Sequence, residues 1–360
     1  MKQFAYIAAT TIVSYLLLML CVYGPKRIYI EDAPSFVPRK ARIAAVGDLM
    51  QHLPQLNAAR QADSTYNYHQ SFKYVAPLLR EADIAIVNLE TTLSHSGPYS
   101  GYPTFCSPTA VAGAMADMGV DVAAFANNHC CDRGGRGIKS TIEILDSHRI
   151  PHIGTYADSI DYNQINICYL MRRGISFAVV NYTYGTNGIP TPKGCVVNLI
   201  DSVRIAADIA SIDRRFADCI IAVMHWGNEY ERQQNSEQRA LANLRKRCGE
   251  DIILGSHPHV VQPFEIDNDG KITVYSMGNF VSNQRKRYCD GGILATIDIE
   301  EVAPNKFKYS LNTMPLWVKL PHYTILTPEA AHTEELTEAE KQSYNIFVSD
   351  TEKLLGATIK

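Results

Sequence analysis

Two histidines on either side of a proline are the residues in this sequence whose spacing best suits chemistry. His257 and His259 follow the short aliphatic stretch 252–254, which is typical of a buried strand running into a turn. Pro258 disfavours a helical conformation at His257, and side chains two residues apart in an extended chain point the same way. We therefore expect the two imidazoles to converge and to bind a metal ion.

Other strand-like stretches of the chain also end in polar side chains. The stretches 43–46, 83–87, 122–126 and 219–224 are apolar except for Asp83, and Asp, Asn, Glu or His follows each of them. The candidates for chemistry are Asp48, Asn88, Glu90, Asn128, His129, His225, His257 and His259. Carboxylate, amide and imidazole groups without a thiolate suit Zn, Mn or Fe, and the set is large enough for two ions that share a carboxylate. Such a pair would acidify a bridging water, and a histidine outside the ligand set would donate a proton to the leaving group.

The elements that position these groups alternate between strand and helix. Helices are predicted at about 72–81, 108–118, up to 148, 199–216 and 238–247, between the apolar strands. Polar residues at consecutive strand exits are typical of α/β proteins, which bind ligands at the carboxyl edge of the sheet. We therefore predict an α/β fold with a site along one sheet edge, followed by a C-terminal helical tail at residues 326–360.

Composition and charge narrow the classes of function. The 360 residues are 46% hydrophobic, which is enough for a large core in one or two domains. The net charge of −3 and the pI of about 6.4 argue against a nucleic-acid partner. The nine cysteines are scattered without a Cys-x-x-Cys pair, so neither a disulfide framework nor a zinc ribbon is expected.

The N-terminus carries a targeting signal. Residues 4–23 are almost wholly apolar, and about 20 such residues can cross a bilayer as a helix. No Ala-x-Ala cleavage site follows, which favours an uncleaved anchor over a removed signal peptide, and Leu20 before Cys21 disfavours lipidation. We predict a transmembrane helix within residues 1–25 and a linker over residues 26–40, with the following domain outside the cytoplasm.

Six short motifs follow one another along the chain. They are Gly47-Asp48-Leu-Met50, Asn88-Leu-Glu90, Asn127-Asn128-His129 with Asp132, His225-Trp-Gly-x-Glu229-Tyr230, Gly255-x-His257-Pro-His259-Val and Tyr275-Ser-x-Gly278-Asn279-Phe280. In content and order they resemble the bacterial capsule synthesis protein family, CapA or PGA_cap, over about residues 41–290 of a predicted domain at 41–325. That family is similar to the calcineurin-like metallophosphoesterases, which implies a four-layer αββα sandwich with a two-metal site.

The resemblance also implies roles for individual residues. The implied metal ligands are Asp48, Glu90, Asn128, His225, His257 and His259, with His129 as proton donor and Asp132 as the group that orients it. We expect substrate contacts from Asn88, Asn127, Trp226, Glu229, Tyr230 and Asn279. The chain departs from the phosphoesterase pattern at Met50, which takes the place of a histidine ligand with His52 two residues further on. Glu90 likewise stands where those enzymes have an aspartate.

The function implied by the resemblance is the biosynthesis of a capsule or a poly-γ-glutamate-type surface polymer. The protein would be held by one span in the bacterial inner membrane, with its domain extracytoplasmic, and would use two divalent ions (Mn, Zn or Fe) to hydrolyse a phosphoester or a γ-glutamyl amide. The alternative is a non-catalytic polymer-binding or export partner on the same fold. Met50 favours this alternative, whereas the retention of His129 with Asp132 favours catalysis.

An anionic polymer would require positive charge near the site. The basic residues beside the motif loops are Arg133, Arg136, Lys139, Arg285, Lys286 and Arg287. The expected partners are an anionic surface polymer or a small hydrolysable substrate, together with other capsule synthesis or export proteins.

Overall fold

Strands and helices alternate along residues 36–356, the part of the protein that this computed structural model describes. The strands are β1 (Lys40–Leu49), β2 (Ile84–Leu89), β3 (Thr92–Ser94), β4 (Cys106–Pro108), β5 (Val122–Ala124), β6 (His152–Ile153), β7 (Thr155–Tyr156), β8 (Cys168–Arg172), β9 (Ile175–Thr183), β10 (Val196–Val197), β11 (Cys219–His225), β12 (Ile252–Ser256), β13 (Phe264–Ile266), β14 (Ile272–Val274), β15 (Asn279–Val281), β16 (Gly291–Ala303), β17 (Lys306–Lys319) and β18 (Thr324–Leu326). The helices are α1 (Leu53–Ala59), α2 (His69–Phe72), α3 (Ala76–Glu81), α4 (Ala110–Asp117), α5 (Gly134–Ser147), α6 (Ser159–Ile165), α7 (Ser202–Ser211), α8 (Ser236–Cys248), α9 (Pro328–Thr333) and α10 (Glu338–Leu355).

The predicted transmembrane helix falls within residues 1–25, which lie outside the described residues together with most of the predicted linker. Within residues 36–356, no helix combines the length and the apolar character needed to cross a bilayer.

Two sheets contain the strands that end at the polar motifs of the sequence. The first has eight strands in the order β18-β17-β16-β1-β2-β5-β6, with β15 also paired to β1. Its strands β1, β2, β5 and β6 are parallel to one another, whereas β16 pairs antiparallel with both of its neighbours, β1 and β17. The second sheet has six strands in the order β13-β14-β12-β11-β9-β8, of which β9, β11, β12 and β14 are parallel. The predicted α/β class is confirmed.

The two sheets pack against each other through alternate residues of their strands. Ile43 and Ile86 from the first sheet belong to the same buried cluster as Ile221 and Leu254 from the second. The neighbouring residues point to the opposite face of each sheet, as the period of two in a strand requires. The outer face of the first sheet is covered by α2 to α5, and that of the second sheet by α7 and α8.

Two predicted helices differ from the observed elements for local reasons. The helix predicted over 72–81 is divided into α2 and α3, because Pro77 lies in the first turn of α3, where a missing N–H costs nothing. The helix predicted over 199–216 is shorter in the structure. Asp201 caps it by accepting from the backbone N–H groups of two following residues, and Ile212 leaves the helical conformation at its end.

The predicted C-terminal tail packs on the first sheet. Phe347 of α10 is buried in a cluster with Trp317 of β17, and the rings of Trp317 and Tyr344 meet edge to face at 6.0 Å. Glu334, between α9 and α10, accepts hydrogen bonds from Lys73, Tyr74 and Lys319. The tail is therefore joined to two separate parts of the domain by one carboxylate.

These three hydrogen bonds lower the pKa of Glu334 from 4.5 to about 2. A carboxylate with a depressed pKa stabilises the folded state above its unfolded pKa, and this stabilisation disappears as the pH falls towards the folded value. We expect Glu334→Gln to lower the free energy of unfolding at neutral pH by roughly 1 kcal/mol. It should also flatten the loss of stability between about pH 4.5 and pH 2. Urea unfolding across this range measures both effects, with the adjacent exposed Glu335→Gln as control. Identical pH profiles for the two variants would contradict the assignment.

Candidate metal centre

The first sheet supplies two carboxylates at the carboxyl ends of neighbouring parallel strands. Asp48 is the second-last residue of β1 and lies opposite Asn88 of β2, just after a shift in the pairing register. Gly47 makes this possible, since a Cβ there would collide with the carbonyl oxygen of Gly278, to which Asp48 donates its backbone N–H at 3.0 Å. Glu90 follows β2 and donates its own N–H to the carbonyl of Leu49 at 3.1 Å.

The side-chain amide of Asn88 lies between these carboxylates. Its Nδ2 is 2.8 Å from Asp48 Oδ1, 3.5 Å from Glu90 Oε2 and 3.3 Å from His225 Nδ1. A donor in this position reduces the repulsion between two buried acids. Asn88, which was predicted to contact substrate, thus connects the acids and His225 by hydrogen bonds within the site.

The second sheet supplies the imidazoles. His225 ends β11, and its Nε2 is 3.0 Å from Asn128 Oδ1 and 3.7 Å from Glu90 Oε1. His259, in the loop after β12, places Nδ1 2.9 Å from Asp48 Oδ2 and Nε2 3.8 Å from Glu90 Oε1. Glu90 Oε1 therefore lies between two imidazoles.

The backbone around the His-Pro-His segment is not extended, so that part of the prediction is wrong. His257 has φ 95° and His259 has φ 58°, both in the left-handed region that non-glycine residues rarely adopt. Tertiary hydrogen bonds override the local preference: the carbonyl of Pro258 accepts from Tyr230 N at 2.8 Å. The two rings nevertheless converge, with centroids 6.0 Å apart.

Burial shifts the ionisation of these groups. Asp48 and Glu90 are fully buried, and the three histidines are at most 3% exposed. Burial, and then the charge of Asp48, raises the pKa of Glu90 well above 4.5. Burial, and then the proximity of His257, lowers the pKa of His225 well below 6.5, and burial lowers the pKa of His257 to about 3.

The donor set fits a divalent metal ion. Glu90 Oε1 and His257 Nδ1 are buried, and neither has a hydrogen-bond partner within residues 36–356. Neutral imidazoles and carboxylates that lack a counter-charge are the ligands that Zn, Mn or Fe prefer, and a bound cation would compensate the buried negative charge. The structure thus suits a metal at this position, as the sequence predicted.

Two groups of three potential ligands occur among the described residues. One is Asp48, Glu90 and His225, and the other is Glu229, His257 and His259. In each group one ligand atom per residue lies within 4.8 Å of the others. Glu229 was predicted to contact substrate, but its position beside two histidines is that of a possible ligand. His52, two residues beyond Met50, belongs to neither group; its Nδ1 accepts from Asn283 N at 3.3 Å.

The predicted proton donor is held in place by several groups. His129 Nδ1 is 2.8 Å from Asp132 Oδ2, which also accepts from Phe105 N at 2.6 Å. The Phe105 ring packs edge to face on the imidazole, with centroids 4.6 Å apart. Asn127 Oδ1 accepts from His129 N at 3.1 Å, while Asn127 Nδ2 donates to Leu89 O. Asn127 therefore shapes the loop that carries His129.

Three further predicted substrate contacts lie in different surroundings. Trp226 is in the buried cluster between the second sheet and its helices, and its Nε1 donates to Tyr275 O at 2.9 Å. This position does not agree with substrate contact, because Trp226 points away from His225 by the alternation of the strand. Asn279 Nδ2 donates to Gln284 Oε1 and Cys289 O, so it braces a loop, whereas Tyr230 is exposed beside His259.

Sequence reasoning missed two residues at the site. The Tyr184 ring lies 4.4 Å from that of His257, and 46% of Tyr184 is exposed, so it forms a wall open to solvent. Asn187 Oδ1 accepts from Asn128 Nδ2 at 3.2 Å. Both follow β9, a parallel neighbour of β11, so the rule that polar residues at strand exits converge could have identified them.

A scan of family models matches residues 42–284 to the bacterial capsule synthesis protein PGA_cap. The chain is 29% identical over 245 residues to the PGA biosynthesis protein CapA of Bacillus subtilis, covering 66% of this chain and 62% of that protein. It is 28% identical over 255 residues to the capsule biosynthesis protein CapA of Bacillus anthracis, covering 68% and 60%. The matched part of the chain thus spans about three fifths of the length of these relatives.

Solved structures give weaker matches. A 5'-nucleotidase from Candida albicans is 12% identical, with a TM-score of 0.43, covering 86% of this chain and 57% of that one. A hypothetical protein from Thermus thermophilus is 15% identical, with a TM-score of 0.46, covering 76% and 99%.

Metal content tests the site directly. After reconstitution of the full chain with Mn, Zn or Fe, we expect about two ions per chain, because the described residues contain two groups of three potential ligands. His257→Ala should lower this number, whereas His129→Ala should leave it unchanged, since His129 is bonded to Asp132. Elemental analysis measures both. A wild-type chain that retains none of the three metals would show that the cluster is not a metal centre.

Proposed function

Because the chain belongs to the bacterial capsule synthesis protein family, we propose that it acts in the biosynthesis of a capsule or poly-γ-glutamate-type surface polymer, as a metal-dependent hydrolase. The observation that carries the hydrolytic part is the buried donor set beside a histidine positioned by a carboxylate. The names of the Bacillus relatives support the role in capsule biosynthesis. The helix-covered pair of sheets supports the finer αββα, metallophosphoesterase-like description of the fold.

In this proposal, one set of site residues binds metal ions and another transfers a proton. Asp48, Glu90, Asn128 and the three histidines would hold divalent ions, which supply Lewis-acid chemistry to the bond under attack and to water. His129 would donate a proton from Nε2 to the leaving group, because its Nδ1 is engaged by Asp132. Phe105, packed on the His129 ring, would keep bulk water from one face of the acid.

The proposed location of the protein in the cell rests on the N-terminal sequence, which lies outside the described residues. The apolar stretch at 4–23 supports a single-pass anchor in the bacterial inner membrane, with the domain extracytoplasmic. That position would place the site where a surface polymer is exported or processed, next to other capsule synthesis or export proteins.

The second candidate is a non-catalytic polymer-binding or export partner, and Met50 favours it. This residue is 2% exposed and takes the place of a histidine ligand, and a thioether is a poor ligand for Mn, Zn or Fe. A binding protein would have no need for the His129–Asp132 pair, which is why we favour hydrolysis.

An anionic substrate would find positive charge close to the acid. Arg133 and Arg136 line a cavity of about 310 Å³ together with Ser94, Ser96 and Ser140. Neither arginine forms an ion pair with a carboxylate among the described residues. By contrast, Arg285 donates a hydrogen bond to Val318 O and Arg287 donates one to Asp350, so both guanidinium groups already have partners. The cavity lined by Arg133 and Arg136 is therefore the better place for a polymer carboxylate or a phosphate.

Hydrolysis by the metal-loaded full chain tests the catalytic proposal. We expect cleavage of either an aryl phosphoester or poly-γ-glutamate, and a drop in kcat of about 10²- to 10⁴-fold in His129→Ala, because the leaving group loses its proton donor. His95→Ala, at an exposed histidine, is the matched control and should retain full activity. A metal-loaded chain that binds poly-γ-glutamate but cleaves neither substrate would establish the non-catalytic alternative.

Binding of polymer tests the arginine cavity. Arg136→Gln should weaken the binding of poly-γ-glutamate by about three- to tenfold, and the loss should shrink as salt is added, because an exposed charge is screened. Lys139→Gln is the control, since Lys139 lies on the same helix but outside the cavity lining. Equal losses in the two variants would indicate attraction by net charge alone.

A further inference from the structure

The loop after β11 brings a carboxylate to the two histidines of the opening motif. One oxygen of Glu229 and one nitrogen each of His257 and His259 lie within 4.8 Å of one another. Ligands about 2.1 Å from a common ion can be separated by at most about 4.2 Å, so a small side-chain rotation would bring all three into contact with one ion. Glu229 is exposed, whereas both histidines are buried.

Backbone hydrogen bonds fix this loop on both sides of Glu229. Trp226 N donates to Ser256 O at 3.1 Å, and Tyr230 N donates to Pro258 O at 2.8 Å. Tyr230 has a φ of 68°, and this left-handed conformation turns the chain back towards the histidines. The closeness of Glu229 to His257 and His259 is thus built into the pairing of two loops and does not depend on a flexible side chain alone.

The donor set is also one ligand short of the phosphoesterase pattern. Met50 occupies the position of a histidine ligand in the related phosphoesterases, and its side chain is buried. His257 Nδ1 is one of the buried atoms without a hydrogen-bond partner in the described chain. Glu229 forms no ion pair with a lysine or arginine anywhere in residues 36–356, so its charge is available for a cation.

We propose that Glu229 is a metal ligand that, with His257 and His259, forms the second of two adjacent ion positions. The first position consists of Asp48, Glu90 and His225, with Asn128 beside them. Glu229 would add a ligand to a set that Met50 leaves one short, and its exposure would put the second ion close to solvent, where an open coordination position can accept substrate. This inference rests on the metal centre of the proposed function.

The test is the titration of chelator-treated full chain with Mn²⁺ or Zn²⁺, followed by calorimetry and by elemental analysis after desalting. Wild type should bind about two ions, and Glu229→Gln should retain one while its affinity for the second falls at least about tenfold. Glu231→Gln is the matched control, because Glu231 is exposed on the same loop and accepts from Asn228 Nδ2. The control should bind both ions as wild type does.

The possible failures can be told apart. If wild type and Glu229→Gln bind two ions with equal affinity, Glu229 is not a ligand, and the metal-dependent function stands. If wild type binds no ion, both the ligand assignment and the metal-dependent function are overturned. Glu229→Asp adds a second check, because it keeps the carboxylate and should restore part of the lost affinity, whereas a purely structural effect of the loop would not follow the charge.

Discussion

The burial of two acids that form no ion pair with a lysine or arginine among residues 36–356 is the constraint on which the rest of this structure depends. Asp48 and Glu90 are both fully buried, and the groups that face them are an asparagine amide and neutral imidazoles. Charges removed from water in this way are costly unless they are compensated. Asn88 provides part of the compensation through one amide that reaches both acids, and the remainder is left for a cation.

The two sheets make different contributions to this cluster. Strands β1 and β2 deliver the carboxylates, and strands β11 and β12 with the loops that follow them deliver the imidazoles. The distance between acid and base is therefore set by the core between the sheets, where residues such as Ile43 and Leu254 meet. Close packing makes that core resist compression, so atoms of the site are held at near-ligand distances before any ligand arrives.

The sequence predicted the class of the fold and identified many of the residues that the structure brings together at the candidate site, because both follow from local signals. Apolar stretches ending in Asp48, Asn88 or His225 indicate strand exits, and the exits of parallel strands meet at one edge. Features that depend on tertiary contacts were not predictable. The left-handed conformations of His257 and His259 come from pairing between loops, and the division of one helix at Pro77 depends on which turn contains the proline. The burial of Trp226 follows only when the strand alternation is continued one residue beyond the end of β11. Tyr184 and Asn187 follow the exit of β9, so the strand-exit rule could have identified them although no motif marks them.

The left-handed residues around the site have a consequence for how this chain can evolve. Tyr230, His257 and His259 each hold a backbone conformation that costs about 1–3 kcal/mol for a residue with a side chain and almost nothing for glycine. Replacement by glycine would relieve this backbone strain while removing the side chain, which sets strain against activity at the same positions. In a related protein that no longer needed the activity, glycine could replace these residues without loss of function. Side chains that remain at these positions therefore indicate that the site is still in use.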